Sequence, residues 1–165
     1  MKKLLSVLVS LVLVFTLVSC SIGDVQKDIK DKHNKNVAID KYKITLVDGK
    51  QIDVLGPFHV VDKDGRIVLD IYDIVKVHYD EDGANANMIF AFKDETKEKF
   101  SNATKTISEY TNGENYMSVY LKGSLLGVIS VTSQMDLEEL CFLVGASDEL
   151  KKEIDILNDI IRDIR

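Results

Sequence analysis

Four times between residues 42 and 131, two short apolar-alternating runs are separated by a turn that ends in glycine. The turns are Asp48-Gly49, Asp64-Gly65, Asp82-Gly83 and Lys122-Gly123. A two-residue turn of this kind needs positive backbone angles, which glycine adopts without steric cost, so each pair of runs is expected to close as a β-hairpin. Tyr42, Ile44 and Leu46 alternate with Lys43 and Thr45, and Ile52 and Val54 resume the alternation after the first turn. Residues 58–61 and 66–69 flank the second turn, 74–79 and 88–92 the third, and 117–121 and 125–131 the fourth. Met88, Phe90 and Phe92 share one face by the two-residue period. Residues 140–144 form a further short run, apolar throughout, and are expected to be a strand closed by Gly145. Cys141 within it then reads as a small, buried and unreactive hydrophobe.

Two stretches carry a helical period instead. Phe100, Ala103, Ile107 and Tyr110 recur at spacings of three and four, so a helix is predicted over 94–109 with Asp94 as its cap. Leu150, Ile154, Leu157, Ile161 and Ile164 make a stripe over 147–164, widened by Ile156 and Ile160, with Ser147 as cap. The class is therefore α+β, an antiparallel or mixed sheet built from hairpins with two main helices on one face. The chain has 165 residues, a hydrophobic fraction of 45% and a formal charge of -6. That length suits one domain of about 100–200 residues, and the hydrophobic fraction excludes a wholly disordered chain. The acidic balance disfavours nucleic acid as a partner, since phosphate neutralisation needs a basic face.

The N-terminal segment has a separate logic. Met1, Lys2 and Lys3 precede a run over 4–18 that is apolar except for Ser6, Ser10 and Thr16. That run is shorter than the roughly 20 residues a membrane-spanning helix needs, so it reads as an export signal. Leu17, Val18, Ser19 and Cys20 resemble the lipobox of bacterial lipoproteins, in which cleavage follows diacylation of the cysteine thiol with palmitate-type chains. The resemblance implies a signal peptide over 1–19, lipidation at Cys20 and anchoring in the cell membrane on its extracytoplasmic face. The plain alternative is an ordinary signal peptide in which Cys20 is incidental. Removing 1–19 takes away two lysines and no acid, which moves the formal charge from -6 to -8. A body this acidic is repelled by anionic headgroups, so attachment falls to the acyl chains. Residues 20–40, rich in Lys, Asp and Asn, read as anchor and solvated tether, and 41–165 as a single domain. With Cys20 taken by lipid, Cys141 has no disulfide partner.

From about residue 71 onward the order of elements resembles the head subdomain of the first extracytoplasmic domain of SecD and SecDF. The residues that carry the likeness are Phe92, then Lys93-Asp94-Glu95, then Phe100 and Thr104 in KFSNAT, then MSVYLKG over 117–123. Lys122 stands where that family usually has Asp, its Pro is replaced near Ile129, and residues 132–136 stand in for its glycine-rich stretch. The six membrane helices that draw on the proton gradient have no counterpart in the likeness, so proton-driven export is not implied. What it does imply is the α+β fold for 71–165 and contact with other polypeptides.

The residues that often carry chemistry fall into no recognised pattern. HExxH, GxSxG, a phosphate-binding glycine loop and CxxC are all missing. The aspartates before Gly65 and Gly83 do not make calcium loops, because the first ligand positions are Val60 and His78. His33 lies in the tether, and His59 and His78 lie on separate strands without a placeable third zinc ligand, so they read as surface or partly buried histidines. Replacing them or the turn aspartates is expected to change stability little. The reading is therefore no enzyme, no cofactor and no metal, with lipidation at Cys20 as the one site. Function then falls between a non-enzymatic lipoprotein that binds exported polypeptides or envelope proteins and an extracytoplasmic hydrolase or solute-binding lipoprotein with an unrecognised site. Contact by the first would use a free strand edge or the MSVYLKG hairpin.

Overall fold

The computed structural model describes residues 39–165. Cys20, His33, the signal-like segment and nearly all of the expected tether lie outside the described residues. The hairpins form as their turns demand. β1 (Lys41–Thr45) and β2 (Gln51–Leu55) pair antiparallel, with Ile44 opposite Ile52 and Tyr42 opposite Val54. β3 (Phe58–Asp62) and β4 (Ile67–Asp70) make the second hairpin, and a 3-10 turn over Ile71–Asp73 leads into β5 (Ile74–Asp82) and β6 (Asn85–Phe92). After the first helix come β7 (Tyr116–Leu121), β8 (Ser124–Ser130) and β9 (Glu139–Gly145).

The class is α+β and every strand pairing is antiparallel, but the strands divide among three sheets. β1–β2 stand as a pair, β4-β3-β7-β8 form a four-stranded sheet, and β5-β6-β9 form a three-stranded one. The division follows from burial. β3 and β7 are the middle strands of their sheet, and both of their faces are covered. Val60, Met117 and Val119 join the main core on one side, while Val61 and Tyr120 join a second cluster with Ile44, Leu46 and Val54 of the β1–β2 hairpin on the other. The main core bridges the two larger sheets, where the Phe58 and Phe90 rings stack at 4.2 Å.

α1 (Asp94–Ser108) buries Phe100 and Ile107, and Phe100 packs against Phe92 at 5.2 Å. Its cap differs from expectation. Lys93 holds the cap position with no side-chain hydrogen bond, and Asp94 is the first helical residue, where its charge suits the helix N-terminus. The carboxylate turns instead to Lys97 at 3.1 Å. α2 (Asp148–Asp163) begins as predicted, with the Ser147 hydroxyl accepting from the Leu150 N–H at 3.1 Å. It buries Ile154, Leu157 and Ile161 and lies along β5, whereas α1 lies by β4. Ile156, expected to widen the stripe, is 47% exposed, because the buried arc of this helix is only three residues wide per two turns.

The β7–β8 turn is fixed by its own backbone and by what it touches. Lys122 and Gly123 both take positive φ, 48° and 83°. A Cβ on Gly123 would lie 3.1 Å from the Lys43 carbonyl oxygen of β1, a main-chain atom that cannot swing aside. Lys122 extends its ammonium to Glu153 of α2. Gly123→Ala should therefore cost about 1–2 kcal/mol, from the strained backbone angle and the crowded carbonyl together. Urea unfolding monitored by circular dichroism would measure it, and an unchanged midpoint would contradict the account.

Candidate interaction surface

The strand edges are the places where this fold leaves main-chain groups without partners, and it treats them unequally. β5 is one edge of the three-stranded sheet. There the Val77 N–H donates to the Asn158 side-chain oxygen at 2.9 Å, and the Asn158 amide nitrogen donates back to the Val77 carbonyl at 2.9 Å. One amide side chain of α2 thus imitates a peptide group of a neighbouring strand. Arg165 adds a hydrogen bond to the Val75 carbonyl. This edge is closed at Val75 and Val77.

The other edge of the same sheet is β9. At one end of its ladder with β6 the Phe92 N–H donates to the Glu138 carbonyl at 2.9 Å, and at the other the Ala146 N–H donates to the Ala84 carbonyl at 3.1 Å. The register between them is unbroken. Hydrogen-bonded pairs recur at every second residue of an antiparallel ladder. Leu140, Phe142 and Val144 therefore turn their main-chain groups toward β6, and Glu139, Cys141, Leu143 and Gly145 turn theirs outward. No described residue pairs with that outward row. Leu140 is buried, Phe142 and Val144 are half-buried, and Cys141 and Leu143 face solvent, Leu143 at 72% exposure.

The strand over 140–144 forms as expected, but the reading of Cys141 as buried is corrected. A continuous apolar run fits a strand buried on both faces, but among the described residues β9 has a neighbour on one side only and a core beneath one face only. Cys141 is exposed, with its sulfur 3.7 Å from the Asn87 side-chain oxygen. Two of the other edges, β4 and β8, are less suited to pairing. β4 has four residues, and the β8 ladder carries a register shift at Val119/Tyr120 with Gly127 in mid-strand. The MSVYLKG segment offers no edge of its own, since β7 lies between β3 and β8.

The segment that delivers the chain to β9 is held by a polar clasp on α1. Thr104, fully buried, donates to the Ser101 carbonyl at 2.9 Å and accepts from the Met135 N–H at 2.9 Å. The Ser101 hydroxyl donates to Asp136 and accepts from the Gln134 amide at 2.6 Å. Lys97 bridges to Glu138 at 3.1 Å. Sequence reading missed this cluster. Its signal was two hydroxyl residues, Ser101 and Thr104, on the same helical face as Phe100 and Ile107. Beside the clasp is a recess of about 230 Å³ lined by Lys97, Glu98, Asp136, Leu137 and Glu138.

The other residues singled out in the sequence stay apart. His78 is exposed on β5. His59 is 2% exposed on β3, which corrects its assignment as a surface or partly buried histidine. Two-sided burial of β3 puts it there. Its Nε2–H donates to the Leu55 carbonyl at 3.0 Å, and burial lowers its pKa from 6.5 to about 4. Asp62 is also buried, and one carboxylate oxygen accepts the N–H groups of Asp64 and Arg66, each at 2.9 Å. This is turn chemistry, but of a kind that an alanine would not replace cheaply. Among the described residues no three His, Cys, Asp or Glu side chains are grouped to hold a metal ion.

No family model matches the sequence, and no curated protein matches it. Solved structures similar to it include two of SecDF. One is a membrane component, SecDF, that enhances protein export, with a TM-score of 0.48 and 14% identity over 57% of this chain and 41% of that one. The other is SecDF in a super-membrane-facing form, also at 0.48, with 12% identity over 76% of this chain and 23% of that one. The chain spans less than half the length of either.

Two tests follow from the geometry. His59 stays neutral in the fold until pH falls to about 4, whereas the unfolded chain takes up the proton near 6.5. Its contribution is fully present above pH 6.5 and is lost as pH falls from 6.5 toward 4, by about 3 kcal/mol at most. Urea midpoints of the native protein and of His59→Gln, compared across that range, should diverge, and parallel curves would contradict the assignment. Cys141 should react with a polar alkylating reagent in the native protein at a rate near that of the unfolded chain. Protection by folding would overturn its placement.

Proposed function

We propose that this chain is a lipoprotein held at the extracytoplasmic face of the membrane through Cys20. In this reading its α+β domain is a non-enzymatic module, linked to protein export, that takes an extended polypeptide onto the free edge of β9. The observation that carries the reading is the unequal treatment of the two edges of one sheet. Exposed edges invite unwanted pairing, and proteins usually blunt them. Here β5 is blunted by Asn158 and Arg165, while β9 keeps seven residues in unbroken register with an exposed Leu143 at the edge. Strand addition draws affinity from such a main-chain row and specificity from the alternate side chains beside it.

The lipobox-like residues before Cys20 support the anchor. Among the described residues no helix is long and apolar enough to cross a membrane. The export setting is supported by the KFSNAT and MSVYLKG resemblance. The alternative, a hydrolase or solute-binding lipoprotein, would need a cleft such as the recess beside α1. Its volume of about 230 Å³ falls below the roughly 300–1,000 Å³ of small-molecule sites, so the polypeptide reading is preferred.

Leu143→Pro provides the test. The Leu143 N–H points outward, so proline there removes an edge donor without breaking the β6–β9 ladder. The full chain should bind an unfolded exported polypeptide, and the variant should lose that binding while keeping its native circular dichroism. Undiminished binding would sink strand addition at β9. Turnover of a hydrolase substrate by the purified protein would sink the non-enzymatic reading. A mature Cys20 without acyl chains, seen by mass spectrometry, would sink the anchor.

A further inference from the structure

The solvent face of the three-stranded sheet gives the β9 edge a chemical pattern. Across it, Cys141 lies beside Ile89 and then His78, Leu143 beside Asn87 and then Asp80, and Glu139 beside Ala91 and then Lys76. Along β9 the outward side chains therefore read acid, thiol, leucine at two-residue spacing. Glu139 is exposed, and its nearest cross-strand neighbour is an alanine. The nearest cation in that row, Lys76, sits two strands away, roughly 10 Å by the usual strand spacing. No ion pair to Glu139 forms among the described residues, whereas its neighbour Glu138 is held by Lys97 at 3.1 Å.

Resting on the strand-addition reading above, we infer that the β9 edge selects an extended segment with two apolar residues and one Lys or Arg at successive alternate positions. The apolar pair lies beside Leu143 and Cys141, and the cation beside Glu139. An added strand stands about 4.8 Å from β9 and places its alternate side chains on the same face. The apolar pair then continues the Ile89–Cys141 and Leu143 rows and covers surface that β9 leaves exposed. The basic residue meets a carboxylate that has no ion-pair partner among the described residues, which fixes register, because a shift by one residue would put all three side chains on the wrong face. An antiparallel partner reads apolar-x-apolar-x-basic, and a parallel one reads basic-x-apolar-x-apolar. A second copy of this chain fits less well. Its own β9 carries Glu139 and no base, and the chain has a formal charge of -6.

The test uses the full chain and fluorescent peptides built on Val-Thr-Val-Thr-Lys and Lys-Thr-Val-Thr-Val, with Glu-for-Lys versions and versions whose valines are adjacent. One of the two basic peptides should bind about fivefold more tightly than its acidic version, the scale of one exposed ion pair. Glu139→Lys should reverse that order, and adjacent valines should abolish binding. Equal binding of all the peptides, lost on Leu143→Pro, would overturn the selectivity and leave strand addition standing. Binding of none, together with no binding of unfolded polypeptides, would overturn both. Self-association through β9, seen as a dimer by sedimentation and abolished by Leu143→Pro, would also overturn the inference.

Discussion

The fold depends on two central strands that are buried on both faces. β3 and β7 run side by side with Val60 opposite Val119, and neither has a solvent side. A strand in that position needs cover above and below, and this domain supplies it from unlike sources. Below is the main core, shared with the second sheet and both helices, where the stacked Phe58 and Phe90 rings join sheet to sheet. Such a pair contributes about 0.5–1.5 kcal/mol beyond the area it buries. Above, among the described residues, is the β1–β2 hairpin. A lone hairpin is marginal in water, so the hairpin and the upper face of β3–β7 stabilise each other. The Tyr120 hydroxyl, donating to the Thr45 carbonyl at 2.7 Å, fastens the contact.

That arrangement accounts for what the sequence made legible. The Asp-Gly and Lys-Gly turns were readable because a positive backbone angle is a local requirement that few residues meet. Met88, Phe90 and Phe92 were readable because β6 has one buried face, so alternation in sequence is alternation in burial. Ser147 was readable because a cap needs only its own first turn. These are all properties of a segment and its immediate neighbours.

What was not legible depends on neighbours distant in the chain. His59 reads as a surface or partly buried histidine until the β1–β2 hairpin, closed by Asp48-Gly49, covers that face of β3. Cys141 looks buried because its run is apolar, and only the strand order shows that no described strand lies on the far side of β9. Asn158 sits between Leu157 and Asp159 of an amphipathic helix, and nothing in its surroundings announces an amide that pairs with Val77 at a separation of 81 residues. Ser101 and Thr104 sat on an apolar helical face, where buried hydroxyls need partners, yet the partners at 134–136 belong to a loop with no period to read. The candidate surface is thus almost wholly a product of tertiary placement.

A free edge serves recognition only if it is held still, since a strand that frays spends binding energy on its own ordering. β9 is secured at both ends by groups that do not belong to its edge. On the N-terminal side, Thr104 fixes the Met135 main chain, Ser101 fixes Asp136, and Lys97 reaches Glu138, so α1 sets where the strand begins. On the C-terminal side, the Ala146 N–H is tied to Ala84, and Ser147 starts α2, whose Asn158 closes the opposite edge of the same sheet. One helix therefore sets the entry to the open edge, and the other leaves it and seals the closed one. The hydroxyl residues of α1, which a helix interior does not favour on propensity, find their physical reason in the position of β9.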